Sequence, residues 1–427
     1  MRRTTTVLVL LALTWSTFAI QTAHAASATP PDPSWQTDDI VRAVAFGHGA
    51  VYLGGSFTHV RPPGAAPGVG DTVREHAAAL DRDTGRLLKW NPKVDGTVWA
   101  IALWKDRVYL GGDFTSVRGK PRTNLAAVDA TTGKVLKWNP RANGVVRTFR
   151  LDRAGQIFLG GSFSTVNGEP RQRLAQLDRK GKLLPWAPTV GQVGGTTCPP
   201  RCAPVIFSID LSTDGSTVYF GGHFGTVNGT NRNEAAAVDA NTGKTLRSWN
   251  PDIYAPTNCP TCIPNETHRV YRVMITDTKA YMCGGFWKVW HEQQLAFNVL
   301  VTNLTTGAPD PVFAAGDDGD TTGCELRGNV LYLGGHFNYA GAACSQNPPP
   351  GTHTQKCTAD NSTVRHHVAA VNATTGNLLP WKPSANSSNG VWAIQKGPGT
   401  VAFVGHFTRV GGVDQQGVAL YSSHLPM

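Results

Sequence analysis

The sequence is short of the features that most functional classes need. After Ile20 no stretch approaches the ~20 consecutive apolar residues of a spanning helix, so no membrane span is expected. Charged residues make up only 16% of the chain, and the net charge of +10 is spread without a dense Lys/Arg block. Nucleic-acid binding needs basic residues gathered on one face, and this sequence argues against it. No nucleophile motif, nucleotide-binding loop or metal-ligand signature stands out either.

What is plentiful points to architecture. With 47 glycines, 28 prolines and 12 tryptophans the composition suits an all-β chain rich in turns. One phrase recurs throughout: Val108-Tyr109-Leu110-Gly111-Gly112-Asp113-Phe114. It returns at Val51–Phe57, Ile157–Phe163, Val218–Phe224 and Leu331–Phe337, and in worn form at Ala280–Trp287 and Val401–Phe407, making seven copies. Self-similarity at this period means an array of one supersecondary unit.

Each unit reads as four short strands, of which the Gly-Gly phrase is the second. In the second unit the first strand is Val98–Leu103, the third Ala126–Asp129 and the fourth Val135–Pro140. Third and fourth strands are joined by a consistent turn, as in Asp81 to Gly85, Asp129 to Gly133 and Asn372 to Gly376. Asp or Asn there bonds the backbone ahead and glycine takes the positive φ. The fourth strand ends in Trp-x-Pro at Trp90, Trp138, Trp186, Trp249 and Trp381, where proline suits an outer edge. The first unit is preceded by Ser34-Trp35, which reads as a fourth-strand tryptophan, and the last unit stops at Val418–Tyr421, a third strand. The expected fold is therefore an all-β, seven-bladed β-propeller of four-stranded antiparallel blades. Its ring is closed by the N-terminal strand pairing with the C-terminal blade, which removes exposed sheet edges.

Residues 1–25, with Arg2-Arg3, an apolar run from Val7 and Ala23-His24-Ala25, read as a secretory signal peptide. Residues 26–427 are then one exported, secreted domain, and loss of Arg2 and Arg3 lowers the net charge from +10 to +8. All eight cysteines lie in that domain, so disulfides are expected. Cys198 pairs with Cys202, Cys259 with Cys262 and Cys344 with Cys357 by proximity, leaving Cys283 with Cys324 by elimination. Zinc is the competing reading of Cys259-Pro-Thr-Cys262.

The pattern Gly-Gly-x-Phe-x-x-Val-Asn-Gly, then Arg before Ala-Ala-Val-Asp, then Trp-Asn-Pro, resembles the delta-60 type repeats of secreted bacterial β-propellers. That resemblance implies the fold and export and carries no catalytic residues. Ala127–Gly133 followed by Trp138 is similar to the tryptophan-docking repeat of quinoprotein dehydrogenases. It departs from that repeat in a tryptophan one residue late, in seven units rather than eight and in the lack of an adjacent Cys-Cys pair.

In an antiparallel unit the fourth-to-first and second-to-third links emerge on one face. The long insertions near 191–204, 252–268 and 341–364 all fall there, and function is sought on that face. Arg74, Arg122, Arg171, Arg232 and Arg365 repeat in register, suiting either a basic crown for anionic glycans or a structural tie in each unit. Position two of the first strand varies instead: Arg42, Trp99, Arg147, Phe207, Arg272, Thr322 and Trp392, a set that could face the channel mouth and meet sugars or carboxylates. The fifth unit diverges most, with Trp290, His291 and Glu292 flanked by His268-Arg269 and by Asp317, Asp318 and Asp320. The Asp group could hold calcium, and no other cofactor is expected. The expected function is an exported binding or scaffold propeller, acting as a monomer on a cell-wall or environmental glycan or on an extracellular partner protein. The alternative is an enzyme: a polysaccharide lyase or hydrolase using His291, Glu292 and the Asp317–Asp320 group, or a quinoprotein-like oxidoreductase.

Overall fold

The computed structural model describes residues 29–192, 203–253, 268–286, 288–289, 294–295, 298–341, 363–387, 389–422 and 425–426. The expected signal peptide, Trp290, His291, Glu292, and the pairs Cys198/Cys202, Cys259/Cys262 and Cys344/Cys357 lie outside the described residues. Among the described residues every regular element is a β-strand.

Each Gly-Gly phrase is the middle strand of an antiparallel sheet. In the second unit Arg107–Asp113 pairs with Thr97–Trp104 on one side and Leu125–Asp129 on the other. The same order recurs around Ala50–Gly55, Ile157–Gly161, Thr217–His223, Lys279–Gly285, Val330–Gly334 and Val401–Gly405. Val108, Tyr109 and Leu110 are wholly buried, which is why the middle strand reads as a continuous apolar run. The turn that follows the third strand is local chemistry. Asp129 Oδ1 accepts from Thr131 N at 3.1 Å, Thr132 N at 2.7 Å and Thr132 Oγ1 at 2.7 Å, while Gly133 sits at φ 67°.

The fourth strand departs from expectation. It joins the third by an isolated bridge, such as Val128 to Val135 or Leu80 to Leu87, and forms no ladder. The tryptophan and proline after it take the chain away from the sheet edge. Its tryptophan folds back onto the middle-strand aromatic, edge to face: Tyr109 and Trp138 have centroids 5.1 Å apart at 74°.

The Gly-Gly pair has two separate jobs. A Cβ on the second glycine, Gly112, would lie 2.2 Å from the Thr97 carbonyl oxygen, because the first strand bulges directly over it. The first glycine makes room for the next sheet. A Cβ on Gly54 would lie 2.5 Å from Val98 Cγ1 and 3.0 Å from Ile101 Cδ1. In the fifth unit Cys283 stands in the place of that glycine, and its partner Cys324 stands in the place of that isoleucine. The Cys283–Cys324 disulfide, with Cα atoms 6.4 Å apart, thus fills with a covalent bond a slot that glycine and isoleucine pack at Gly54/Ile101, Gly160/Ile209 and Gly334/Ile394.

Sheets pack face to face through their first strands. Val41–Gly47 lies beside Thr97–Trp104, followed in turn by Val146–Leu151, Val205–Leu211, Arg269–Ile275, Gly323–Arg327 and Val391–Lys396, and this last strand contacts Val41–Gly47. The architecture is that of a β-propeller. The two ends of the described chain meet. Asp32 N donates to Leu420 O at 2.7 Å and Thr37 N to Gln416 O at 3.2 Å, and the buried Gln415 Nε2 donates to Val418 O at 2.7 Å and to Ser34 Oγ at 3.2 Å. The buried residue beside that junction is Ser34, whereas Trp35 is only half-buried, so the first tryptophan is not the fourth-strand tryptophan that its position suggests.

Candidate functional site at the mouth of the channel

The first strands enclose a cavity of about 620 Å³ lined from all seven units. In six units the first strand carries a β-bulge near its start: between Val41 and Ala43, Val98 and Ala100, Val146 and Thr148, Ile206 and Ser208, Val270 and Arg272, and Val391 and Ala393. A bulge adds one unpaired residue and re-aims its side chain. The extra residues are Arg42, Trp99, Arg147, Phe207, Tyr271 and Trp392, and all six line the cavity. The variable position of the sequence is this bulge. The fifth unit corrects the expected set, since the bulge residue there is Tyr271. Arg272 pairs with Cys283 one step deeper, where the other units have small residues. The signal was present in the second glycine, opposite which the bulge forms. Thr322, in the remaining unit, is buried and donates to Val391 O through Oγ1.

Five of these side chains form a ladder. The Arg42 guanidinium carbon lies 4.1 Å from the Trp99 ring centroid and 4.8 Å from that of Trp392. Arg147 lies 4.2 Å from Trp99 and 5.5 Å from Phe207. Arg42 and Arg147 come from the first strands on either side of that of Trp99, and so approach its indole from opposite sides. Phe207 meets Tyr271 at 5.2 Å, and Tyr271 continues the arc. Its hydroxyl accepts from Arg269 at 3.3 Å and donates to Asp320 Oδ2 at 3.3 Å. Burial, then the nearby Arg42 and Arg269, bring Arg147 down to about 10.

Farther along the first strands the charges are matched. Arg150 pairs with Asp210 at 2.8 Å, and Glu325 takes Arg272 at 3.2 Å and Lys396 at 3.6 Å. Burial pushes the Glu325 carboxyl up, and the two cations pull it back. Sequence reasoning missed Glu325 and Lys396, which lie on strands without any local motif.

The remaining predicted residues go elsewhere. His268 is buried away from the channel, its carbonyl 3.1 Å from His223 Nδ1, and His223 lies 3.3 Å from the fully buried Glu234. Burial holds Glu234 at about 7 against the pull of His223 and lowers His268 to about 4. Glu234 fills a tie position that asparagine occupies in the second and fifth units: its carboxylate accepts from Phe224 N as Asn124 does from Phe114 N and Asn298 from Phe286 N. The three aspartates diverge. Asp317 is buried on Asn298 Nδ2, at 3.0 Å, and the Thr321 hydroxyl; Asp318 accepts from Asn338 N and Tyr339 N; Asp320 faces Tyr271. Among the described residues no three His, Cys, Asp or Glu side chains gather in a metal-binding group. The repeated arginines tie their own units instead of forming a basic crown. Arg122 donates to Pro121 O at 2.7 Å and Leu136 O at 2.7 Å, and Arg74, Arg171, Arg232 and Arg365 repeat the bond to the fourth segment.

Residues 155–183 match the family model described as a domain of unknown function (DUF5122) beta-propeller. The match spans the middle strand Ile157–Gly161, the tie Arg171 and the turn at Gly181 of the third unit. No curated protein matches the chain. Among solved structures, the computationally designed Ika8 protein is 14% identical over 92% of this chain and 99% of its own, with a TM-score of 0.48. The WD40 beta propeller domain of Doa1 is 11% identical over 92% of this chain and 97% of its own, with a TM-score of 0.49.

Proposed function

We propose that the protein is a secreted binding module, exported on residues 1–25, whose ring of seven delta-60 type blades takes a glycan at the insertion-side mouth of the channel. The contacts of each first strand with the next, and of the last with the first, support the ring. So do the bonds that join Ser34 and Thr37 to Gln415 and Gln416. The observation that carries the binding reading is the bulge set: the positions that repeat are spent on structure, whereas Arg42, Trp99, Arg147, Phe207, Tyr271 and Trp392 differ from unit to unit and converge on one cavity. Binding to a glycan panel, with product analysis in the presence and absence of calcium, tests this. Retention without turnover, lost in Trp99→Ala with the fold intact, is expected. Turnover would make the protein an enzyme, and failure to bind any glycan would remove the ligand class.

A further inference from the structure

We propose that the channel mouth is an oxyanion site in which Arg42 and Arg147 grip the carboxylates of an acidic glycan. This rests on the glycan-binding reading and narrows it to charged sugars. Other arginines of the channel and of the blades have partners. Arg150 and Arg272 each have a carboxylate, and Arg122 and its repeats donate to backbone carbonyls. Arg42 and Arg147 have neither arrangement. Among the described residues Arg147 makes no hydrogen bond or ion pair, and Arg42 makes only one bond, from Nε to Ser56 Oγ at 3.4 Å. Both are half-buried, and a desolvated guanidinium beside like charges is held at an electrostatic cost that an arriving oxyanion would relieve.

Geometry decides the kind of ligand. Aromatic rings lie over both guanidinium groups, and Arg42 Nη1 and Arg147 Nε are buried donors without a partner, so each group keeps an N–H edge to offer a ligand. Such an edge matches the two oxygens of a carboxylate. The same stacking covers both faces of Trp99, so a neutral sugar finds no free face on that indole to stack upon. The nearby carboxylates act on them only from a distance: Asp39 attracts Arg42 and Asp113 attracts Arg147 without a direct contact among the described residues, and Asp320 is held by Tyr271.

Titration calorimetry on the full mature chain, comparing oligogalacturonate, its methyl ester, and inorganic phosphate, tests the inference. The acid is expected to bind at least tenfold tighter than the ester. Arg147→Met should cost roughly 10- to 100-fold, the worth of a charge-assisted bond, and Arg82→Gln, outside the cavity lining, should cost nothing. If Arg147→Met does not fold, Arg147→Lys keeps the charge without the fork and should still lose most of the affinity. Equal binding of acid and ester, insensitive to Arg147, overturns the oxyanion site and leaves the glycan reading standing. Phosphate binding that depends on Arg147, with no glycan bound, upholds the site and removes the glycan. An absence of binding by all three probes overturns both.

Discussion

The Cys283–Cys324 junction allows covalent and packing contributions to be separated, because the other sheet junctions fill the same slot without a bond. Replacing both cysteines by alanine opens a loop of sequence separation 41. On the chain-entropy estimate that loss is about 4 kcal/mol. Both residues are fully buried, so the missing sulfur atoms leave voids costing roughly 1 kcal/mol each. Cys283→Gly with Cys324→Ile instead installs the pair seen at Gly54 and Ile101, where isoleucine enters the space that the glycine vacates. It should recover most of the void term, about 2 kcal/mol, and none of the loop term. Urea unfolding midpoints should therefore fall in the order wild type, Gly/Ile, Ala/Ala. If Ala/Ala matched the wild type, the bond would contribute nothing. If Gly/Ile were no better than Ala/Ala, the equivalence of the slots would be wrong.

Four further outcomes are expected. Gln415→Ala leaves the buried acceptors at Ser34 and Val418 without their donor and should cost about 1–3 kcal/mol; removal of residues 26–40 should lower the melting point of the whole protein in one transition, and unchanged melting would refute the joining of the ends. His268 is held at about 4 in the fold, against ~6.5 unfolded, so the unfolded chain binds the extra proton in between, and this histidine removes up to ~3 kcal/mol as pH falls across that window. Glu234, at about 7 in the fold, acts in the opposite sense, losing stability as pH rises from about 4.5 to about 7. His268→Phe should thus turn a shallow thermal midpoint profile into one that falls with rising pH, and an unaltered profile would contradict the assignment. Arg122→Ala should cost about 1–3 kcal/mol through its two carbonyl bonds while leaving anion binding unchanged; weakened anion binding would restore the basic crown.

Local chemistry wrote the repeat into the sequence. The Asp129–Gly133 turn closes through bonds within five residues, and the middle strands announce themselves as apolar runs because both faces are buried. The Gly-Gly pair was legible as a signal but not in its meaning, since both glycines answer to other strands: Gly112 to the Thr97 carbonyl, Gly111 to Phe149 of the next sheet. Only tertiary structure decided which residues enter the channel. A bulge moves the register by one, and the exchange of Arg272 for Tyr271 depends on pairing with Cys283 that no count along one strand reveals. It also decided what the mouth can hold. Trp99 reads from sequence as a free stacking surface, and it is the approach of Arg42 and Arg147 from the two neighbouring first strands that covers its faces and leaves guanidinium edges in their place. Likewise Glu234, His223 and His268 are unremarkable apart and acquire shifted proton affinities only where three separate segments are buried together, because desolvation and charge coupling belong to the assembled fold.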